Sequence, residues 1–287
     1  MIPTIFTQII FKLFTMRLQF TLSRIFLLVF FIGNSLLLQA QDGAPYSIAT
    51  DRPSVSFTAA LASKNILIVE TGYFRQRDEV EALTSIGITQ PNVSLRYGLS
   101  DNFELRLGWE YIGAELSGAG LAAQRQEGSG PLTLGAKIKI ADNEGWIPQT
   151  TFLGAVQLPF TAAKDFQSDF TGSYFRFLFQ NTLNERFFVF YNLGANFGSD
   201  AEGRAQSTGA YTFALGANVL PNLSAFVEVF GFLPERGIDQ HSIDAGLVYV
   251  IRNQYQLDAS VGYGLNEYAS DMFFNLGFSF YLNFKKP

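Results

Sequence analysis

The 287-residue chain contains no cysteine, so neither a disulfide nor a thiolate metal site can form. A single histidine, His241, likewise excludes a metal centre built from several imidazoles. Charged residues are 16% of the chain against a usual ~25%, a scarcity unusual for a soluble domain. After residue 40 no stretch approaches the ~18–20 consecutive apolar residues that a spanning helix needs. No GxxxxGK loop that would cradle a nucleotide phosphate is present either. Aromatic residues, by contrast, are plentiful, with 30 Phe and 12 Tyr, and aromatic-rich with charge-poor is an unusual mixture for a soluble domain.

The first forty residues read as an address rather than as fold. Lys12, Arg17 and Arg24 lead into an apolar run over 25–32, extended by 35–38 and ended by the small residue Ala40. A basic start, a short apolar stretch and a small residue predict a secretory signal over residues 1–40, cleaved between Ala40 and Gln41. Met16 is an alternative start. The competing reading is a membrane anchor, but the run is short and interrupted by Gly33 and Asn34. Removing 1–40 takes away three basic and no acidic residues, so the formal charge of −5 becomes −8. That acidity argues against nucleic acid as a partner.

Beyond residue 65 a period of two dominates. In "MFFNLGFSFYLNF" (272–284) the even positions Met272, Phe274, Leu276, Phe278, Phe280, Leu282 and Phe284 are all large and apolar. The positions between them are small, polar or aromatic, so one strand face is greasy and the other mostly is not. The same alternation runs through 103–111, 132–140, 211–219 and 255–263. It predicts twelve strands: 66–75, 89–98, 103–112, 131–140, 148–158, 172–182, 187–197, 209–219, 223–231, 241–251, 255–264 and 272–284. In 148–158 both faces mix apolar and polar residues.

The connections alternate in length. Short ones, such as "LSDN" (99–102), "LNER" (183–186) and "RNQ" (252–254), carry the Asn and Asp of tight reversals. Long ones are expected over 76–88, 113–130, 159–171, 198–208, 232–240 and 265–271. An even strand count, short turns at one end and longer loops at the other are the plan of a bacterial outer-membrane barrel. A soluble sandwich would also alternate. The persistence of the pattern, the export signal and the aromatic end of the last strand favour a closed antiparallel transmembrane β-barrel over 66–287, all-β, with short periplasmic turns and longer outer loops. Residues 41–65 then form an N-terminal periplasmic arm or a small plug.

Four short stretches carry a family resemblance: "TDRP" (50–53), "RYGLSDNFELRLG" (96–108), "QLPF" (157–160) and "QLDASVGYGLN" (256–266). With them the chain, from about residue 49 to its end, resembles the outer-membrane transporter family associated with the meta-cleavage pathway of phenol degradation. The resemblance implies an outer-membrane barrel that moves small hydrophobic or aromatic compounds. The most specific element, 96–106, reads independently as strand, tight turn and strand, with Arg96, Glu104 and Arg106 on one face.

With the greasy face towards lipid, parity turns Glu70, Arg96, Glu104, Arg106, Glu110, Lys137, Lys139, Arg176, Glu228, Asp244 and Asp258 inward. A charge on the lipid face would cost ~2–4 kcal/mol near the midplane, so their shared parity is informative. Basic residues cluster at Lys137, Lys139 and Arg176, acids at Glu228, Asp244 and Asp258. Two readings stay open: a transverse field across a water-filled pore, or a neutralising network that closes a narrow barrel. Phe188, Phe190, Phe226, Phe230 and Tyr281 also point inward, either as a path for an aromatic solute or as filler.

These features suggest a passive channel or transporter for small hydrophobic or aromatic molecules, without cofactor or metal. Its expected partners are outer-membrane lipid, the barrel-assembly machinery and a small-molecule solute. A non-conducting structural or adhesion barrel is the alternative. A membrane-embedded lipid hydrolase fits less well, because His241 and Ser242 point to opposite faces of one strand and the next outward residue is Ile243.

Overall fold

A computed structural model describes residues 46–80, 82–118, 120–200 and 202–284. The expected signal segment therefore lies outside the described residues. Among these the chain forms thirteen strands: β1 (Ile66–Val80), β2 (Leu83–Ser100), β3 (Phe103–Gly118), β4 (Leu121–Ser129), β5 (Leu132–Ala141), β6 (Gln149–Leu158), β7 (Ser173–Thr182), β8 (Phe187–Ser199), β9 (Ala205–Leu220), β10 (Leu223–Pro234), β11 (Gln240–Ile251), β12 (Tyr255–Gly264) and β13 (Met272–Asn283). Twelve of them close a ring of antiparallel neighbours, with β13 pairing back onto β1. The thirteenth, β4, pairs only with β3. Closure leaves the twelve-strand ring without a free edge, the one sheet form that can cross lipid.

The alternation is what makes the wall. Leu107, Leu134, Phe213, Leu257 and Leu276 are exposed on the outside, while the opposite-parity residues of the same strands, Glu104, Lys137, Thr212, Asp258 and Ser279, are buried inside. Register keeps each set together: Glu104 sits opposite Lys137, and Leu107 opposite Leu134. A slip of one residue would turn the charges to lipid and the leucines into the lumen.

Strand 149–158 mixes its faces for a local reason. Leu153 points inward yet is fully buried, packed with Leu178 against Ala59 of the N-terminal segment. An apolar contact inside the lumen blurs the period that an apolar outer face and a polar inner face would give.

The long connections differ from expectation. The segment 76–88 is no loop: β1 and β2 stay in register up to the pair Val80 and Leu83, giving a tall hairpin. Most of 113–130 is likewise ladder, since β3 continues to Gly118 and β4 returns along it to Ser129. Gly120, with φ 82°, sits in the left-handed region that this reversal requires. At the opposite end Arg252 and Asn253, at φ 52° and 58°, make one of the expected tight turns. The connection between β6 and β7 carries the only described helical turns, two 3-10 pieces at Pro159–Thr161 and Lys164–Phe166.

Candidate functional site

The site forms where residues 46–65, which have almost no regular structure, run through the lumen. A backbone of this kind cannot satisfy its own polar groups, so the wall must do so. At the short-turn end the Ile48 amide donates to the Asn253 carbonyl at 2.9 Å. Ile48 and Ala62 pack there with Ile66 and Ile68, and Tyr46 meets Tyr281 edge-on at 5.0 Å.

Further in, "TDRP" supplies the central contacts. One Asp51 carboxylate oxygen lies 2.8 Å from Lys137 Nζ, and the other lies 2.6 Å from Arg106 and 3.6 Å from Arg96. The Asp51 amide donates to Glu70 at 3.0 Å. Burial by itself would raise the Asp51 pKa, but Arg96, Lys137 and Arg106 outweigh it and hold the carboxyl well below the usual carboxylate range. Arg96 also donates to both oxygens of Glu104, each at 3.0 Å, and to Glu70 at 2.9 Å.

The neighbouring Arg52 reaches the other way. Its guanidinium donates to Asn92 at 3.0 Å and to the Leu276 carbonyl at 2.9 Å, and its Nε lies 3.3 Å from Asp258. Gly72 and Gly277 face each other beneath it, and a Cβ at either would run into the guanidinium. These glycines leave room for the arginine to lie against the wall.

The rest of the segment is held through its backbone. Glu228 accepts from the amides of Val55 (2.7 Å) and Ser56 (2.9 Å), and from the Ser56 hydroxyl. Asn192 both accepts from the Phe57 amide and donates to its carbonyl, at 2.7 and 3.0 Å. Thr151 and Lys137 donate to the carbonyls of Ala59 and Thr58, and the Ala62 amide donates to Glu104 at 2.7 Å.

The charges expected on the inner face are placed as follows. Glu70, Arg96, Glu104, Lys137, Arg176, Glu228, Asp244 and Asp258 are all buried. Arg106 points to Asp51 and Glu104. Lys139 instead pairs with Asp142 near a short turn, away from the others. Arg176 binds the Ala195 carbonyl and the Asn196 side chain, at 3.0 and 2.7 Å, and pairs with no acid among the described residues. Glu110 lines a cavity. Asp51 and Arg52, which join so many of these groups, escape a reading based on strand parity because they lie on no strand. They form the sole charged pair between Gly43 and Ser63, and that is the signal by which they could have been found.

Cavities lie on either side of the segment. The lower one, about 340 Å³, reaches the short turns at Pro221, Asn222 and Asn253. Phe188, Phe190 and Phe226 line it, with ring centres 5.9 and 6.5 Å apart. Phe230 sits elsewhere, edge-on to Phe273 at 5.8 Å. The upper cavity, about 510 Å³, includes Phe57, Phe74, Trp109, Glu110 and Tyr174. It shares Pro131, Gln157 and Tyr174 with a third cavity of about 480 Å³ beneath the 159–172 connection. Arg52, Pro53 and Ser54 line both the upper and the lower cavity. The segment is thus a septum one chain thick.

The fold is similar to that of the COG4313 outer membrane channel from Pseudomonas putida F1, at 15% identity and a TM-score of 0.61, over 85% of this chain and 100% of that one. It is also similar to the transport unit of the autotransporter AIDA-I from Escherichia coli, at 9% identity and a TM-score of 0.51, over 87% and 94% of the two chains. No curated protein matches the sequence. The model of the family described as "Putative MetA-pathway of phenol degradation" matches residues 50–282. That span begins at Thr50 of the septum and ends at Leu282 of the closing strand, and the chain belongs to this family.

Proposed function

We propose that the protein is a passive outer-membrane channel for small hydrophobic or aromatic molecules. In this reading it is exported by a signal removed after Ala40, inserted by the barrel-assembly machinery and surrounded by outer-membrane lipid. The observation that carries the proposal is the pair of aromatic-lined cavities on opposite sides of a septum one chain thick. Small-molecule sites commonly occupy ~300–1,000 Å³, and both cavities fall in that range, each setting aromatic rings among polar groups. The septum, residues 50–58, then acts as the gate between them.

The wall itself supports a hydrophobic cargo. Where β3 exchanges β5 for β4, near Trp109 and Gly130, Val93 and Trp109 line the upper cavity. They sit opposite each other, with the same outward parity as the pair Leu95 and Leu107. An apolar solute in that cavity is one side chain from the outer surface of the barrel.

A second reading, a non-conducting barrel, is favoured by the number of ion pairs and hydrogen bonds that fix the septum. Protein reconstituted into liposomes decides between them. A channel accelerates uptake of a neutral aromatic solute over protein-free liposomes, and release of the septum raises single-channel conductance. Equal uptake with and without protein, together with silent bilayers, would leave only the structural barrel. Location is checked by fractionation, where recovery as a soluble periplasmic protein would end the outer-membrane reading.

A further inference from the structure

Around Asp51 and Arg52 the charges balance. Arg52, Arg96, Arg106 and Lys137 are matched by Asp51, Glu70, Glu104 and Asp258, each within ion-pair distance of at least one partner. Glu110 stands outside this set. It projects into the upper cavity, and among the described residues its carboxylate has no hydrogen bond and no ion pair. Its backbone carbonyl, by contrast, is used, accepting from the Gly130 amide at 2.8 Å. The rings of Phe57, Phe74 and Tyr174 share the cavity with it, and Trp109, of outward parity, borders it.

A carboxylate is acceptor-only, and it binds a cationic donor more strongly than a neutral one. Beside a neutral ion network, its charge also sets the sign of the cavity's local potential. We infer that the upper cavity is a binding site for small amphipathic solutes that carry a hydrogen-bond donor, a protonated amine above a hydroxyl, on an apolar body, with Glu110 accepting from the donor. The inference rests on the channel reading for its physiological meaning, but binding can be measured apart from transport.

Trp109 lines the cavity, and the other tryptophan, Trp146, is 95% exposed in a turn. In a Trp146→Phe background, Trp109 fluorescence therefore reports occupancy. The probes are cyclohexylmethylamine, cyclohexylmethanol and cyclohexanecarboxylate, which share one apolar body and do not absorb with indole. The amine is expected to bind tightest and the carboxylate weakest. Glu110→Gln weakens the amine by about tenfold, the scale of one charge-assisted hydrogen bond, and changes the alcohol much less. Glu110→Asp, which keeps the charge, retains the ranking. Folding of each variant is confirmed by heat-modifiable gel migration. Equal affinity for all three probes, or an amine affinity untouched by Glu110→Gln, overturns the inference. Liposome uptake of the alcohol, measured on the same preparations, separates the two claims: uptake without ranked binding removes this site and leaves the channel, whereas ranked binding without uptake keeps the site and removes the channel.

Discussion

Two like-charged pairs face each other across ladders of the barrel: Arg96 opposite Arg106 on β2 and β3, and Glu228 opposite Asp244 on β10 and β11. Like charges directly opposite on one face are destabilising. The same septum answers both pairs, with different chemistry. To the basic pair it presents a carboxylate, Asp51, within 2.6 Å of one guanidinium and 3.6 Å of the other. To the acidic pair it presents two amides and a hydroxyl, and these go to Glu228 alone. Neither Asp244 oxygen has a hydrogen-bond partner among the described residues. The basic side is a closed network, and the acidic side is half compensated. A barrel wall can therefore tolerate charge repulsion that would be costly alone, provided a separate segment supplies the opposite charge or the donors.

The largest effect should follow from Asp51→Asn. It leaves Arg96, Arg106 and Lys137 with less opposing charge in a buried setting, a change that typically costs ~3–5 kcal/mol when one partner of a buried pair is lost. The barrel ladder itself is untouched, so the cost falls on the septum. The expected outcome is a folded, heat-modifiable barrel with raised conductance and new protease cleavage between residues 50 and 60. Conductance equal to wild type would show that the basic pair does not need Asp51.

Acid should act on the same latch, but late. Because the folded Asp51 carboxyl sits below its unfolded value, its contribution is present above the unfolded pKa and is lost only as pH falls through the folded one. Asp51-dependent closure should thus persist from neutral pH down to about 4, near the ordinary aspartate value, and fail only below it. A conductance change between pH 7 and 5 that vanishes in Asp51→Asn would contradict this.

The acidic side should respond less. Glu228→Gln keeps one acceptor oxygen but replaces the other with a donor facing amides, a loss of about 1–3 kcal/mol for a buried group left unsatisfied. Asp244→Asn should move the other way, since it removes the repulsion and no described hydrogen bond to its carboxylate is lost. Relief of a like-charge cross-strand pair is worth ~0.2–1 kcal/mol. The midpoint of heat-modifiable unfolding should fall for Glu228→Gln and rise slightly for Asp244→Asn. If both fall, the unpartnered carboxylate has a role that the ladder geometry does not reveal.

How much of this is legible in the sequence depends on whether the residues concerned lie in the apolar outer band of the wall. Strand 103–111 is readable because Phe103, Leu105, Leu107, Trp109 and Tyr111 alternate with residues unfit for lipid. Beyond that band no apolar outer face is demanded. The stretch "AELSGAGLAAQRQEGSG" (114–130) therefore shows no period of two, although it continues β3 and forms β4. Residues 76–88 hide their ladder for the same reason. The septum is hidden for a different one: its order comes from wall side chains such as Glu228 and Asn192, far away in sequence, and without a regular backbone it has no period to detect. Parity places Glu104 and Arg96 on one face, but their common partner Asp51 becomes visible only once the ring is closed.

The smallest effect belongs to the outer loops, where an ion cluster resembles the inner one only on paper. Asp200 binds Arg204 at 2.8 Å and approaches Arg236 at 3.4 Å, two cations on one aspartate where Asp51 holds three. The side chains of Arg204 and Arg236 are, however, 59% and 39% exposed, whereas those of Arg96 and Lys137 are fully buried. Water already solvates the outer cations, so removing their acid strands no charge. Asp200 also accepts from the amides of Glu202 and Arg204, a local turn that asparagine can partly reproduce through its side-chain oxygen. Asp200→Asn should therefore leave conductance and the unfolding midpoint unchanged, with at most faster proteolysis between β8 and β9. A conductance change as large as that of Asp51→Asn would mean that this loop, and not the septum, controls the lumen.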